Sequence, residues 1–239
     1  MTEEPDVPPP AAHPRRRTAH GENRLPPALA VLVALLVYAL LPDKLLLTGR
    51  WLVPGVEVLL LVVLVATNPR RLTRETTWSR AVSVVLSGVV IATMLVSLGL
   101  LIRTLGAPHQ SGENLLLGAI MIWGTNVIGF ALLYWEVDRG GPVSRHRTAR
   151  ADLPPADWQF PQDDNDDTVV EVSRGSSRTA GWVPVFVDYL YLSLTNSSAF
   201  SPTDTMPLTS RAKMLMALQG TAAMLTLLLV VARAVNSIG

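Results

Sequence analysis

The apolar residues of this chain come in unbroken runs about twenty residues long, and this restricts what it can fold into more than any motif does. Roughly twenty helical residues, at about 1.5 Å of rise each, match the ~30 Å hydrocarbon core of a bilayer. Inside that core no water is available to backbone amides and carbonyls, so each run has to satisfy its own hydrogen bonds as a helix. Four runs precede residue 136, at 25–41, 51–67, 81–102 and 115–135, and another closes the chain at 212–230. Hydrophobic residues make up 49% of the sequence and charged residues only 16%, too few charges for a surface wetted all round. The pattern predicts an all-α, polytopic transmembrane helical bundle of five to six spans.

Basic residues set its orientation. Arg15, Arg16, Arg17 and Arg24 precede the first run; Arg70, Arg71, Arg74 and Arg80 separate the second from the third; Arg139, Arg145, Arg147 and Arg150 follow the fourth. The other two connections hold Lys44, Arg50 and Arg103. Twelve against three, alternating at each crossing, predicts an amino terminus in the cytoplasm. Residues 1–24 are rich in proline and mixed charge and read as a disordered cytoplasmic tail; the first run leads into Leu-Pro-Asp-Lys and reads as an uncleaved anchor.

Within 25–135, the four-helix transmembrane region, two residues carry more than packing. Glu57 lies about two turns into the second run, and a carboxylate within a span costs on the order of 3 kcal/mol at the centre. It reads either as an interfacial acid beside Arg50 or as an ion- or proton-binding group. Asn126, at the midpoint of the fourth run, needs a partner on another helix or lines a pathway. Ser83 with Ser87, and Thr93 with Ser97, share helix faces suited to close packing.

Residues 136–181 form a soluble, acidic and proline-rich loop, with Trp158 and Phe160 expected at the interface and a short strand at 168–172. Its Asp-Asp-Asn-Asp-Asp run has EF-hand spacing at Asp163, Asn165 and Asp167, but Thr168 stands where the loop needs Gly and Arg174 where it needs Glu, so no calcium site is expected. The chain has no cysteine, which excludes disulfides and thiolate metal sites. It lacks phosphate-loop, zinc-helix and nucleophile-elbow motifs, so no enzyme activity and no cofactor are expected.

Residues 182–239 comprise a polar helix at 182–200, a turn and the last transmembrane helix. Asp188 and the run Thr195, Asn196, Ser197 and Ser198 make 182–200 a poor lipid-facing helix, so the rest of the bundle must shield it. It reads as a fifth full span, giving six in all, or as a re-entrant element, giving five. Ser201, Pro202, Thr203 and Asp204 have the form of a helix start, so Asp204 is either a cap-region acid or a functional carboxylate. The last run sets Ala217, Gly220 and Ala223 on a small-residue face, with Gln219 near mid-depth.

Asp188, Tyr191, Ser193, Thr195, Asp204, Pro207, Leu208 and Arg211 follow the order of the pore-loop half of two-helix potassium channels, which this stretch resembles. It is also similar to an uncharacterised bacterial multi-pass membrane-protein family, a domain of unknown function, over the chain from about Leu25 and specifically after Trp182. The resemblance implies an architecture, placed in a bacterial inner membrane, and no activity. Ser201, Pro202 and Thr203 replace the glycine filter, and proline forbids the backbone that a potassium carbonyl ladder needs. Two functions stay open: cation permeation or ion-coupled transport through Asp188, Thr195, Asn196, Ser197, Ser198, Asp204, Asn126 and Glu57, or a membrane scaffold without transport. Expected partners are the lipid bilayer, a second copy of the chain and cations, with no nucleic acid.

Overall fold

The computed structural model describes residues 21–46, 51–67, 77–104, 112–164, 167–198 and 204–238. Four helices come first: α1 (Leu25–Leu40), α2 (Leu52–Thr67), α3 (Thr77–Thr104) and α4 (Gly112–Val137). Pro26 and Pro27 occupy the first turn of α1, where a missing N–H leaves no bond unmade. Short helices α5 (Pro142–Arg147), α6 (Pro161–Asp164) and α7 (Val170–Ser173) follow, then α8 (Phe186–Ser198) and α9 (Ser210–Ile238). Among the described residues, three stretches are long and apolar enough to cross a membrane: Trp78–Arg103, Leu115–Gly140 and Ser210–Ala232.

α4 is the centre of the bundle, with α1, α3, α8 and α9 all packed against it. It approaches α3 closely at Gly129, where a Cβ would lie 3.0 Å from Ile91 Cγ1 and 3.2 Å from Val90 Cγ1. The start of α3 and the residues before α1 lie at the carboxyl end of α4: Ser83 donates to Glu136, and Trp135 Nε1 donates to the Glu22 carboxylate at 3.0–3.1 Å. α4 therefore runs antiparallel to both neighbours, as two alternating crossings require.

Two expectations for the loop need correction. Residues 168–172 hold no strand, because the helical turn α7 begins at Val170. Trp158 is buried in the core instead of resting at an interface, with Tyr134 and Tyr189 ring centroids at 4.7 and 6.4 Å and its Nε1 3.1 Å from Met216 Sδ. Phe160 is buried beside it.

The strands that do form are two residues each: β1 (Trp158–Gln159) pairs antiparallel with β2 (Met206–Pro207), just ahead of α9. The helix expected over 182–200 is also shorter, covering Phe186–Ser198. Its 13 residues reach about 20 Å at 1.5 Å each, well short of the ~30 Å core. α8 runs back along α4: Phe186 stacks edge-on to Trp135, Ser193 Oγ donates to the Val127 carbonyl at 2.7 Å, and Ser197 O lies 3.5 Å from Trp123 Nε1. The tip of α8 is thus level with the middle of α4, yet β2 and the start of α9 are back at the carboxyl end of α4, where Arg211 Nη2 reaches the Val137 carbonyl.

Candidate functional site

Where α4, α8 and α9 meet, the bundle holds a closed polar network centred on Gln219, which is completely buried. Its Nε2 donates toward the Ser193 carbonyl (3.0 Å), Ser193 Oγ (2.5 Å) and Ser197 Oγ (2.8 Å). Its Oε1 accepts from Tyr134 Oη (2.6 Å) and Asn196 Nδ2 (2.8 Å). Asn196 Nδ2 also reaches the Met216 carbonyl, and Asn126 Nδ2 donates to the Gln219 carbonyl at 3.3 Å. Amide side chains suit this task because each offers donors and acceptors without a charge to desolvate.

Of the eight candidate residues, the network gathers Asn126, Asn196 and Ser197. Asp188 sits in the first turn of α8 and accepts from the Val185 N–H at 2.7 Å, the return bond of a capping box. Thr195 bonds back to the Tyr191 and Leu192 carbonyls of its own helix, and Ser198 is exposed at the last turn of α8. Asp204 is exposed in a bend ahead of β2. Its expected place in a helix start involves 201–203, which lie outside the described residues; α9 is capped by Thr209, whose Oγ1 accepts from the Ala212 N–H at 3.1 Å. Glu57 is buried on α2, a helix that packs against α1 and α3.

The sequence reading left out Tyr134, Ser193 and Gln219 as site residues. The signal for Gln219 is that it is the one amide in the run 212–230, on the face that carries Ala217, Gly220 and Ala223.

A second layer of charge pairs closes the carboxyl end of α4. Arg139, in the left-handed region at φ 50°, is followed by Gly140 and Gly141 at φ 81° and 97°, and these three residues reverse the chain. The Arg139 guanidinium donates to Asp163 and to the Trp158 carbonyl. Burial pushes the Asp163 carboxyl up, but bonds from Arg139 and the Ser177 hydroxyl outweigh it and hold the group below its ordinary value. Asp138, fully buried, accepts from Tyr189 Oη at 2.5 Å and from the Asp157 N–H at 2.7 Å. Arg145, also fully buried, donates to the Trp135 and Asp138 carbonyls and lies over the Tyr189 ring at 4.8 Å. Asp157 pairs with Arg211 and accepts from Thr209.

Glu22 joins this layer from the amino-terminal side. Its carboxylate accepts from the Phe186 N–H at 2.6 Å, at the positive end of the α8 dipole, and from Trp135, with Arg145 Nη2 at 3.9 Å. Burial still raises the Glu22 carboxyl above its ordinary value, against the opposing pull of Arg145 and those two donors. Among the described residues no three His, Cys, Asp or Glu side chains come together as a metal site.

Comparison with protein-family models, with curated proteins and with solved structures finds no match to this chain. The likeness to pore loops rests on the residues quoted for it.

Proposed function

We propose that the protein is a multi-pass integral protein of a bacterial cell membrane in which α1 to α4 and α9 cross and α8 is re-entrant. α8 enters from the cytoplasmic face and reaches mid-depth at Ser198, and the chain is back at the face it left by β2. One observation carries this reading: α8 reaches only the middle of α4, while β2 lies hydrogen-bonded to β1 at the end where α8 began. A half-helix that ends at mid-depth is how membrane proteins bring a helix end and its carbonyls to an ion there.

The pathway is for cations. The carboxyl end of α8, negative by its dipole, points into the bilayer, and the oxygen-bearing Ser198 and Asp204 are exposed on either side of the turn. Asn196, Ser197 and Asn126 hold the hairpin in place from behind, so the conducting surface is the outward one and is completed by further copies of the chain. Without a glycine filter the selectivity among cations is weak.

The closed Gln219 network favours a second reading, a scaffold whose buried polar groups only join helices. Reconstituted protein tested for proton, sodium, potassium and calcium flux under an imposed voltage separates the two. Permeation requires flux that falls in Asp204→Asn, with Asp188→Asn, which keeps its cap bond, unaffected. Silence toward all four cations by correctly folded protein removes the permeation reading and leaves the scaffold.

A further inference from the structure

Beside the charge layer, at the carboxyl end of α4, lies an open cleft of about 290 Å³ whose walls include Arg139, Arg150, Leu153, Pro154, Asp163 and Leu208. Two guanidiniums face it and one carboxylate, so its walls carry excess positive charge. Arg139 is buried and fixed by Asp163. Arg150 is exposed, and among the described residues its one polar contact is a long 3.4 Å approach of Nη2 to the Trp182 carbonyl, which leaves most of its donors pointing at solvent. Arg139 also holds a backbone conformation that L side chains rarely adopt. Glycine would relax that backbone, so what the position gains from arginine lies in the guanidinium.

We propose that this cleft binds an anionic phosphate group, with Arg150 as the principal donor and Arg139 as the fixed charge behind it. Guanidinium matches phosphate through paired N–H donors, and Arg150 has such a pair to give. The apolar part of the wall points to what the phosphate is attached to. Leu153, Pro154 and Leu208 offer apolar surface next to the charge, the arrangement met by the headgroup and glycerol of a phospholipid at the membrane surface. A free phosphate would use the arginines alone.

The purified full-length chain, stripped of lipid in a neutral detergent, is titrated with dioctanoyl phosphatidylglycerol, with dioctanoylglycerol, and with inorganic phosphate. The unfolding midpoint and native mass spectrometry report binding. Phosphatidylglycerol is expected to raise the midpoint and to survive as a single adduct, and Arg150→Gln to weaken it about tenfold. Arg174→Gln, which removes an exposed arginine outside the cleft, leaves binding unchanged. If inorganic phosphate alone raises the midpoint and loses that effect in Arg150→Gln, the site holds with a soluble ligand. Equal binding of dioctanoylglycerol, equal loss in Arg174→Gln, or no response to either phosphate compound overturns the proposal.

Discussion

Replacing Gln219 by methionine tests whether the polar network holds α8 in place. Methionine keeps nearly the same length and volume, so the change removes an amide and leaves little cavity. Ser193 Oγ keeps its bond to the Val127 carbonyl and Asn196 keeps the Met216 carbonyl. Tyr134 Oη and Ser197 Oγ lose their bonds to the Gln219 side chain. Interhelical hydrogen bonds in lipid average about 0.6 kcal/mol and reach about 1.7, so two of them cost roughly 1–3 kcal/mol. Tyr134→Phe alone removes one bond and costs about 0.6–1.7 kcal/mol on the same scale. In the Gln219→Met background it costs close to nothing, since its partner is already gone. The assay is unfolding in mixed micelles of increasing sodium dodecyl sulfate fraction, followed by tryptophan fluorescence, on the wild type, both single variants and the double. Losses that add to within about 0.3 kcal/mol refute the pairing, and a Gln219→Met cost below that value refutes the network's role in stability.

Two further outcomes follow from the fold and its charges. Since the chain has no cysteine, Ser237→Cys and Arg178→Cys are each labelled cleanly by an impermeant thiol reagent on whole cells; a re-entrant α8 requires labelling of Ser237→Cys from outside and of Arg178→Cys only after permeabilisation, and the reverse at Ser237 removes the five-crossing topology. Glu22, with its carboxyl raised by burial, holds its proton more tightly folded than unfolded, so the stability it contributes is present below its ordinary value near 4.5 and is lost as pH rises through the folded value. Against Glu22→Gln, the wild type is expected to lose stability as pH rises above 4.5, with Arg145 and His146 common to both proteins; parallel pH profiles refute the assignment to Glu22.

The four leading helices were legible because their signal is local. Each apolar run fixes a helix by itself, so the observed helices Leu25–Leu40, Leu52–Thr67, Thr77–Thr104 and Gly112–Val137 overlie the runs. Trp158 was not legible, since its seat is made by Tyr134, Tyr189 and Met216, residues from three separate helices, while its own neighbours are prolines and acids. The length of α8 was hidden for a related reason. No glycine or proline interrupts 185–200, and nothing local says that residues 206–207 will pair with β1. Of the candidate polar residues, Asn126, Asn196 and Ser197 come together because they face Gln219. Asp188 and Thr195 are spent on their own helix, a use that sequence spacing does not separate from a shared site.

The bond from the Phe186 amide to Glu22 closes a loop of 164 residues. During synthesis the ribosome delivers Glu22 first, and its acceptor oxygens wait through α1 to α4 and the whole of the following loop before the amide they bind emerges. Trp158 waits likewise for Met216. Until then the carboxyl end of α4 stands open, with Asp138, Arg145 and the aromatic rings around them uncovered. A nascent chain arrested before α8 thus carries a sticky, charged mouth, and the arrival of α8 and α9 is what seals it.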